Sequence, residues 1–187
     1  MIVSRAQTDY EPLPVGVVPA VCVNYFDCGV QRGYQGKLQH KVVLLWELEA
    51  RRTDGQRFLA TKNYTATLSE KATLTADLQS WRGRAFTEDE LRGFELDNII
   101  GKPCQLNLVQ TTKANGDPFV EVQTVLRPNK GWVAFQPETA PDFVPPWVVT
   151  MQAQRLDAPA PDGRTEYMSA SGSSSKGAQA FADDIPF

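Results

Sequence analysis

LQHKVVLLWELEARRTDGQRFLATKNYTATL, residues 38–68, is the stretch that decides the fold. Two runs rich in Val, Leu, Thr and aromatic residues, 38–50 and 58–68, flank Asp54-Gly55. Asp-Gly is suited to the positive φ angles of a tight hairpin turn, so this stretch predicts a two-stranded antiparallel ribbon. Upstream, VGVVPAVCVNYFD (15–27) reads as a further strand. CGVQRGYQGK (28–37), with three glycines, reads as the loop that joins it to the ribbon.

Downstream the period changes from two to about 3.6. Leu74, Leu78 and Trp81 recur on one face of a helix over 70–81, with Ser69 as the expected cap. Thr87 and Glu90 form a T-x-x-E capping box for a second short helix, with Phe86 and Leu91 placed as a hydrophobic staple. Gly101 and Pro103 close this helical region. Two more strands follow, CQLNLVQTT (104–112) and PFVEVQTVL (118–126), separated by an Asn115-Gly116 turn. Three strands, helices, then two strands is the order of an OB-fold, a mainly β five-stranded antiparallel barrel with a helical insert between strands 3 and 4. An unrelated five-strand barrel or sandwich is the other architecture compatible with this order.

The domain reading follows from composition. Residues 1–130 read as the OB-fold domain. Residues 131–155, rich in aromatics and proline, read as an extension that packs on the barrel or makes a subunit contact. Residues 156–182 are Ala, Ser, Gly and Pro with little to bury and read as a flexible linker, and 183–187 form an acidic tip. The apolar runs are shorter than a membrane span, and the first residues lack a signal-type apolar core, so the expected compartment is the cytoplasm. An odd count of three cysteines, Cys22, Cys28 and Cys104, fits reduced thiols. No close Cys-x-x-Cys pair accompanies them or the single His40, so no metal or other cofactor is expected. The sequence shows no catalytic constellation, and the expectation is a protein that is not an enzyme.

The formal net charge is −3, yet its distribution is uneven. From Asp27 to Lys62 there are seven basic residues (Arg32, Lys37, Lys41, Arg51, Arg52, Arg57, Lys62) against four acidic ones, a local excess of three. Binding of single strands combines a cationic groove with aromatic faces for stacking. Residues of that kind on strands 2 and 3 and their loops are Tyr34, Lys37, Lys41, Trp46, Arg57, Phe58, Lys62 and Tyr64, with Lys113 in the loop between strands 4 and 5 as an extension. Alternation puts Phe58, Lys62 and Tyr64 on one face, and a lysine there argues for a solvated surface, because a buried unpaired ammonium is costly. Trp46 shares its face with Val42, Leu44 and Leu48, which favours burial and leaves it as a secondary stacking candidate.

The tip DDIPF (Asp183, Asp184, Ile185, Pro186, Phe187) resembles the acidic tip of bacterial single-stranded DNA-binding proteins. HKVVLLWELE, KNYTATLSEKATLTADLQSWRGRAFTEDEL and NIIGKPCQLNLV resemble a family of phage and mobile-element proteins connected with replication and read as single-strand binders. The first resemblance implies an OB-fold domain that coats single-stranded DNA and a tip that recruits host replication, recombination and repair proteins. Phe187 would enter an apolar pocket of such a partner while its carboxylate meets a basic rim. With only two aspartates before Ile-Pro-Phe, the tip departs from the longer acidic runs of that family. The competing expectation is an OB-fold adaptor or decoy that binds proteins and has no affinity for DNA.

Overall fold

The structure, a computed structural model, describes residues 11–156. The tip and the linker from residue 157 onward lie outside the described residues. Five strands form one antiparallel sheet: β1 (Gly16–Arg32), β2 (Leu38–Arg51), β3 (Arg57–Thr65), β4 (Pro103–Thr112) and β5 (Pro118–Leu126). Their spatial order is β3-β2-β1-β4-β5. The fold is therefore mainly β, but the expected closure into a barrel is not made by backbone pairing: β3 and β5 are the two edges of an open sheet. Among the described residues no helix is long and apolar enough to cross a membrane.

Both hairpin turns form where the Asp-Gly and Asn-Gly pairs predict them, with Gly55 at φ 85° and Gly116 at φ 88°. The expected loop at 28–37 is largely strand instead. β1 runs on to Arg32 because Cys28 and Val30 are buried and the ladder with β2 continues through Val30↔His40 to Arg32↔Leu38. Only Gly33–Lys37 turns, closed by Gly33 N–H donating to the Lys37 carbonyl at 2.7 Å. Two register shifts, between Cys22 and Asn24 and between Asp27 and Val30, let this 17-residue strand bend. Gly29, at φ 62°, occupies the second shift, and a Cβ there would sit 3.0 Å from the Arg155 Cβ.

The run Val42–Leu48 is buried throughout because the sheet is covered on both faces at its centre. Val42, Leu44, Trp46 and Leu48 enter the main core with α1 (Thr73–Arg82), Ile99 and the β4 side chains Leu106 and Leu108. Val43 and Leu45 enter a second cluster with Phe26, Cys28 and Val148 of α3 (Pro146–Ala153). The segment after β5 thus packs its helix on the outer face of β1 and β2.

α1 buries Leu74, Leu78 and Trp81, the spacing read from the sequence, and ends at Gly83 in the left-handed region. Trp81 Nε1 donates to the Pro103 carbonyl at 2.6 Å and ties the helix to the start of β4. Ser69 does not cap it. The helix begins after Ala72, three residues further on, and alanine has no side-chain acceptor; residues 69–72 form a preceding turn in which the Ser69 carbonyl accepts Ala72 N–H and the Thr75 hydroxyl. α2 (Glu88–Arg92) has the expected capping box, with Thr87 Oγ1 accepting Glu90 N–H and Glu90 accepting Thr87 N–H.

Glu90 has a second task. It pairs with Arg82 Nη2 at 2.5 Å and with Arg84 Nη2 at 2.8 Å, and the Arg82 side chain is fully buried against the rings of Phe86 and Phe94. These guanidinium bonds, Arg84 first, lower the Glu90 pKa to about 2. A depressed carboxylate pKa stabilises the fold above the ordinary glutamate range and loses that contribution as pH falls toward the native value. Glu90→Gln is expected to cost on the order of 3 kcal/mol at neutral pH. Thermal unfolding against pH should show wild type and variant converging near pH 2; a constant gap down to that pH contradicts the pairing.

Candidate nucleic-acid interface

Apart from Lys113, the structure divides the candidate strand-binding residues singled out by sequence into three groups. Trp46, Phe58 and Tyr64 are core residues, at 0%, 7% and 2% relative exposure. The expectation that the Phe58, Lys62 and Tyr64 face is solvated is therefore corrected: this face is the inside of the sheet. The ammonium of Lys62 is tolerated there because it has partners. Lys62 Nζ lies 2.6 Å from Asp77 Oδ2 of α1 and donates to the Gln123 carbonyl of β5, also at 2.6 Å. Tyr64 Oη donates to the same Asp77 oxygen at 2.8 Å, and Val125 N–H meets Asp77 Oδ1 at 3.4 Å. A lysine, a tyrosine and an aspartate thus bridge β3 to β5 through α1, where the backbone makes no ladder.

Arg57 belongs to the second group, the hairpin end of β2 and β3. Its guanidinium carbon stands 4.0 Å from the Phe135 ring centroid, and its Nε lies 3.4 Å from Glu47 Oε1 and 3.5 Å from Glu138 Oε1. Arg51 grips the Glu138 carboxylate with both terminal nitrogens, and Arg52 pairs with Asp54. Glu47, only 1% exposed, is satisfied by Glu138 N–H and by the N–H and hydroxyl of Thr139. Arg51 and Arg57 hold residues 135–139 against the sheet and are neutralised in doing so, while Arg52 is neutralised within the hairpin turn.

Lys41, Lys37 and Tyr34 form the third group, at the opposite end of the ribbon. Tyr34 belongs to the short turn Tyr34–Gly36, and Lys37, which follows that turn, is exposed. Lys41 pairs across to Thr65 in the ladder, and its ammonium donates to Thr65 Oγ1 at 3.1 Å. It opens into a cleft of about 380 Å³ lined also by Asn63, Thr67, Ser69, Lys71 and Thr73. Partial burial lowers the Lys41 pKa. Among the described residues Arg32, Lys37, Lys41 and Lys71 make no ion pair with a carboxylate. The uncapped N-terminus of α1 lies in the same wall, so hydroxyls, ammonium groups and helix N–H groups line one polar cleft. That chemistry suits a phosphate diester.

Lys113 is not brought to this cleft. β1 pairs with β4 from Gly16↔Leu108 to Val21↔Pro103, so the β4–β5 turn lies past the first residues of β1 and the β1–β2 turn past its last. Lys113 instead lies 5.7 Å from the Phe119 ring centroid. The tip residues 183–187 are outside the described residues. Sequence reasoning missed Lys71 and the hydroxyl residues around it, although they alternate at 65, 67, 69, 71 and 73, a polar period-two run leading into a helix.

Compared with known proteins, the chain matches no family model and no curated protein.

Next to the cleft, His40 Nε2 lies 2.6 Å from Asp27 Oδ1. The hydrogen bond to Asp27 raises the pKa of His40, and the bond to His40 lowers that of Asp27. The pair contributes fully at pH values below the ordinary histidine range and above the ordinary aspartate range. That contribution fades as pH climbs through the raised histidine value, and again as pH falls through the lowered aspartate value. Since the chain has a single histidine, its NMR titration reads this directly. The midpoint should exceed about 6.5 and return there in Asp27→Asn. An unchanged midpoint in the variant contradicts the pair.

Proposed function

We propose that this chain is a non-catalytic single-stranded DNA-binding protein of OB type that takes the phosphate backbone at the β1–β2 end of its sheet. The observation that carries the reading is the cleft of Lys41 and Lys71, with Lys37 and Arg32 on the neighbouring turn and strand end. No described carboxylate neutralises these four cations, and an N-terminal helix end adds to their field. The strand order supports the OB assignment, since β1 pairs with both β2 and β4 and leaves β3 and β5 facing the seam in which α1 lies. Residues 183–187 supply the second half of the proposal, recruitment of replication, recombination and repair proteins, which rests on their resemblance to the acidic Ile-Pro-Phe tips.

Titration of the full chain with a dT oligonucleotide at several salt concentrations tests the reading. Wild type should bind with an affinity that falls as salt rises. Lys41→Ala/Lys71→Ala should bind at least several-fold more weakly, with a salt slope shallower by about 0.7 for each phosphate that is no longer neutralised. Absence of salt-sensitive binding by wild type, or equal binding by the double variant, contradicts it.

A further inference from the structure

The outer face of β2 and β3 is the ligand face of OB-type sheets, and here residues 135–139 lie across its hairpin end. The way they are held is specific. Two guanidinium groups converge on one carboxylate: Arg51 contacts both Glu138 oxygens, and Arg57 stands 3.5 Å from one of them while stacking on Phe135. A paired guanidinium fork that fits a carboxylate fits a phosphate diester by the same planar geometry. The fork is at the surface, with the Arg51 and Glu138 side chains 44% and 52% exposed, so an anion from solution reaches it without opening the core. The rest of the attachment is narrow. It consists of the Glu47 carboxylate gathering Glu138 N–H, Thr139 N–H and the Thr139 hydroxyl, of Trp132 Nε1 reaching Glu49 at 3.4 Å, and of Asn24 Nδ2 reaching the Pro141 carbonyl at 3.5 Å just past residues 135–139. The chain from 127 to 145 has no regular secondary structure and is anchored on its far side by Val148 in the second core cluster.

We propose that residues 135–139 are a displaceable strap and that Glu138 occupies, as an internal competitor, a phosphate subsite formed by Arg51 and Arg57. This rests on the reading of the protein as a single-strand binder and adds its regulation. A strand entering at the Lys41 and Lys71 cleft runs along the β3 edge, past the exposed Asn63 and beside the α3 side chains that cover β2, and it reaches the fork only when Glu138 leaves. The strap then sets the length of strand engaged and makes the affinity depend on how firmly Glu47 holds Thr139.

The test is a salt-dependent titration with a dT oligonucleotide, using the full chain as wild type, Glu138→Gln, Thr139→Val and Glu138→Gln/Arg51→Ala, with circular dichroism confirming that each is folded. Both single variants should bind several-fold more tightly than wild type, with a salt slope steeper by about 0.7 to 1.4, one or two further phosphates. Adding Arg51→Ala should abolish the gain. Hydrogen exchange at the Glu138 and Thr139 amides of wild type should accelerate when the oligonucleotide is added. Tight binding that appears only in the strap variants also supports the proposal, as a strap closed in wild type. Wild-type binding with unchanged affinity in both single variants overturns the strap and leaves the single-strand reading standing. If no variant binds, both are overturned.

Discussion

Asp77 is the group on which the rest of the architecture depends. An open antiparallel sheet that curls toward closure leaves two edges facing each other, and here they are β3 and β5. α1 lies in that seam, and its one buried carboxylate collects Tyr64 Oη, Lys62 Nζ and Val125 N–H, while Lys62 also reaches the β5 backbone. An ion pair and a phenol thus take the place of a backbone ladder. Burying charges is costly unless both signs meet and the remaining hydrogen bonds are satisfied, and this cluster meets those terms. Because the helix is fixed in the seam, its uncapped first turn is held beside Lys41 and Thr65, which is what forms the polar cleft.

The same constraint sorts the charges of the basic middle. Seven cations lie between Asp27 and Lys62, but Lys62 is committed to the seam, and Arg51, Arg52 and Arg57 are committed to Glu138, Asp54 and Glu47. Among the described residues, Arg32, Lys37 and Lys41 are left without a carboxylate partner, and so is Lys71 from beyond β3. A count of charge along the chain cannot separate these classes, because the partner carboxylates stand at positions 47, 54, 77 and 138. Three-dimensional pairing separates them at once.

Much of the fold is legible in local chemistry. Asp54-Gly55 and Asn115-Gly116 place two hairpins, the Leu74, Leu78, Trp81 spacing places a helix, and Thr87 with Glu90 places its neighbour, since each signal acts within a few residues. The errors arise where a distant partner overrides the local rule. Lys62 on an apolar face reads as solvent-facing until Asp77, fifteen residues away, supplies its counter-charge. The glycines at 29, 33 and 36 read as a loop, yet Gly29 serves a strand irregularity while the buried Cys28 and Val30 keep the strand going. Ser69 has the right chemistry for a cap, but a turn intervenes and the helix starts three residues later, with Ala72 at the cap position. Of the candidate site, Lys37 and Lys41 are visible in sequence, whereas Lys71 and its hydroxyl neighbours become a site only when the helix end closes against β3. The segment after β5 carries no period at all, since its proline and aromatic residues fill a surface already shaped by β1 and β2.

The most direct test of the seam is a double-mutant cycle between Lys62→Met and Asp77→Leu, read by denaturant unfolding. If these two groups replace the missing β3–β5 ladder, each single change strands a buried charge, and the double variant should lose far less than the two losses combined. The coupling should be about 2 kcal/mol or more. Strictly additive losses would mean that the seam is held by packing alone and would contradict the account.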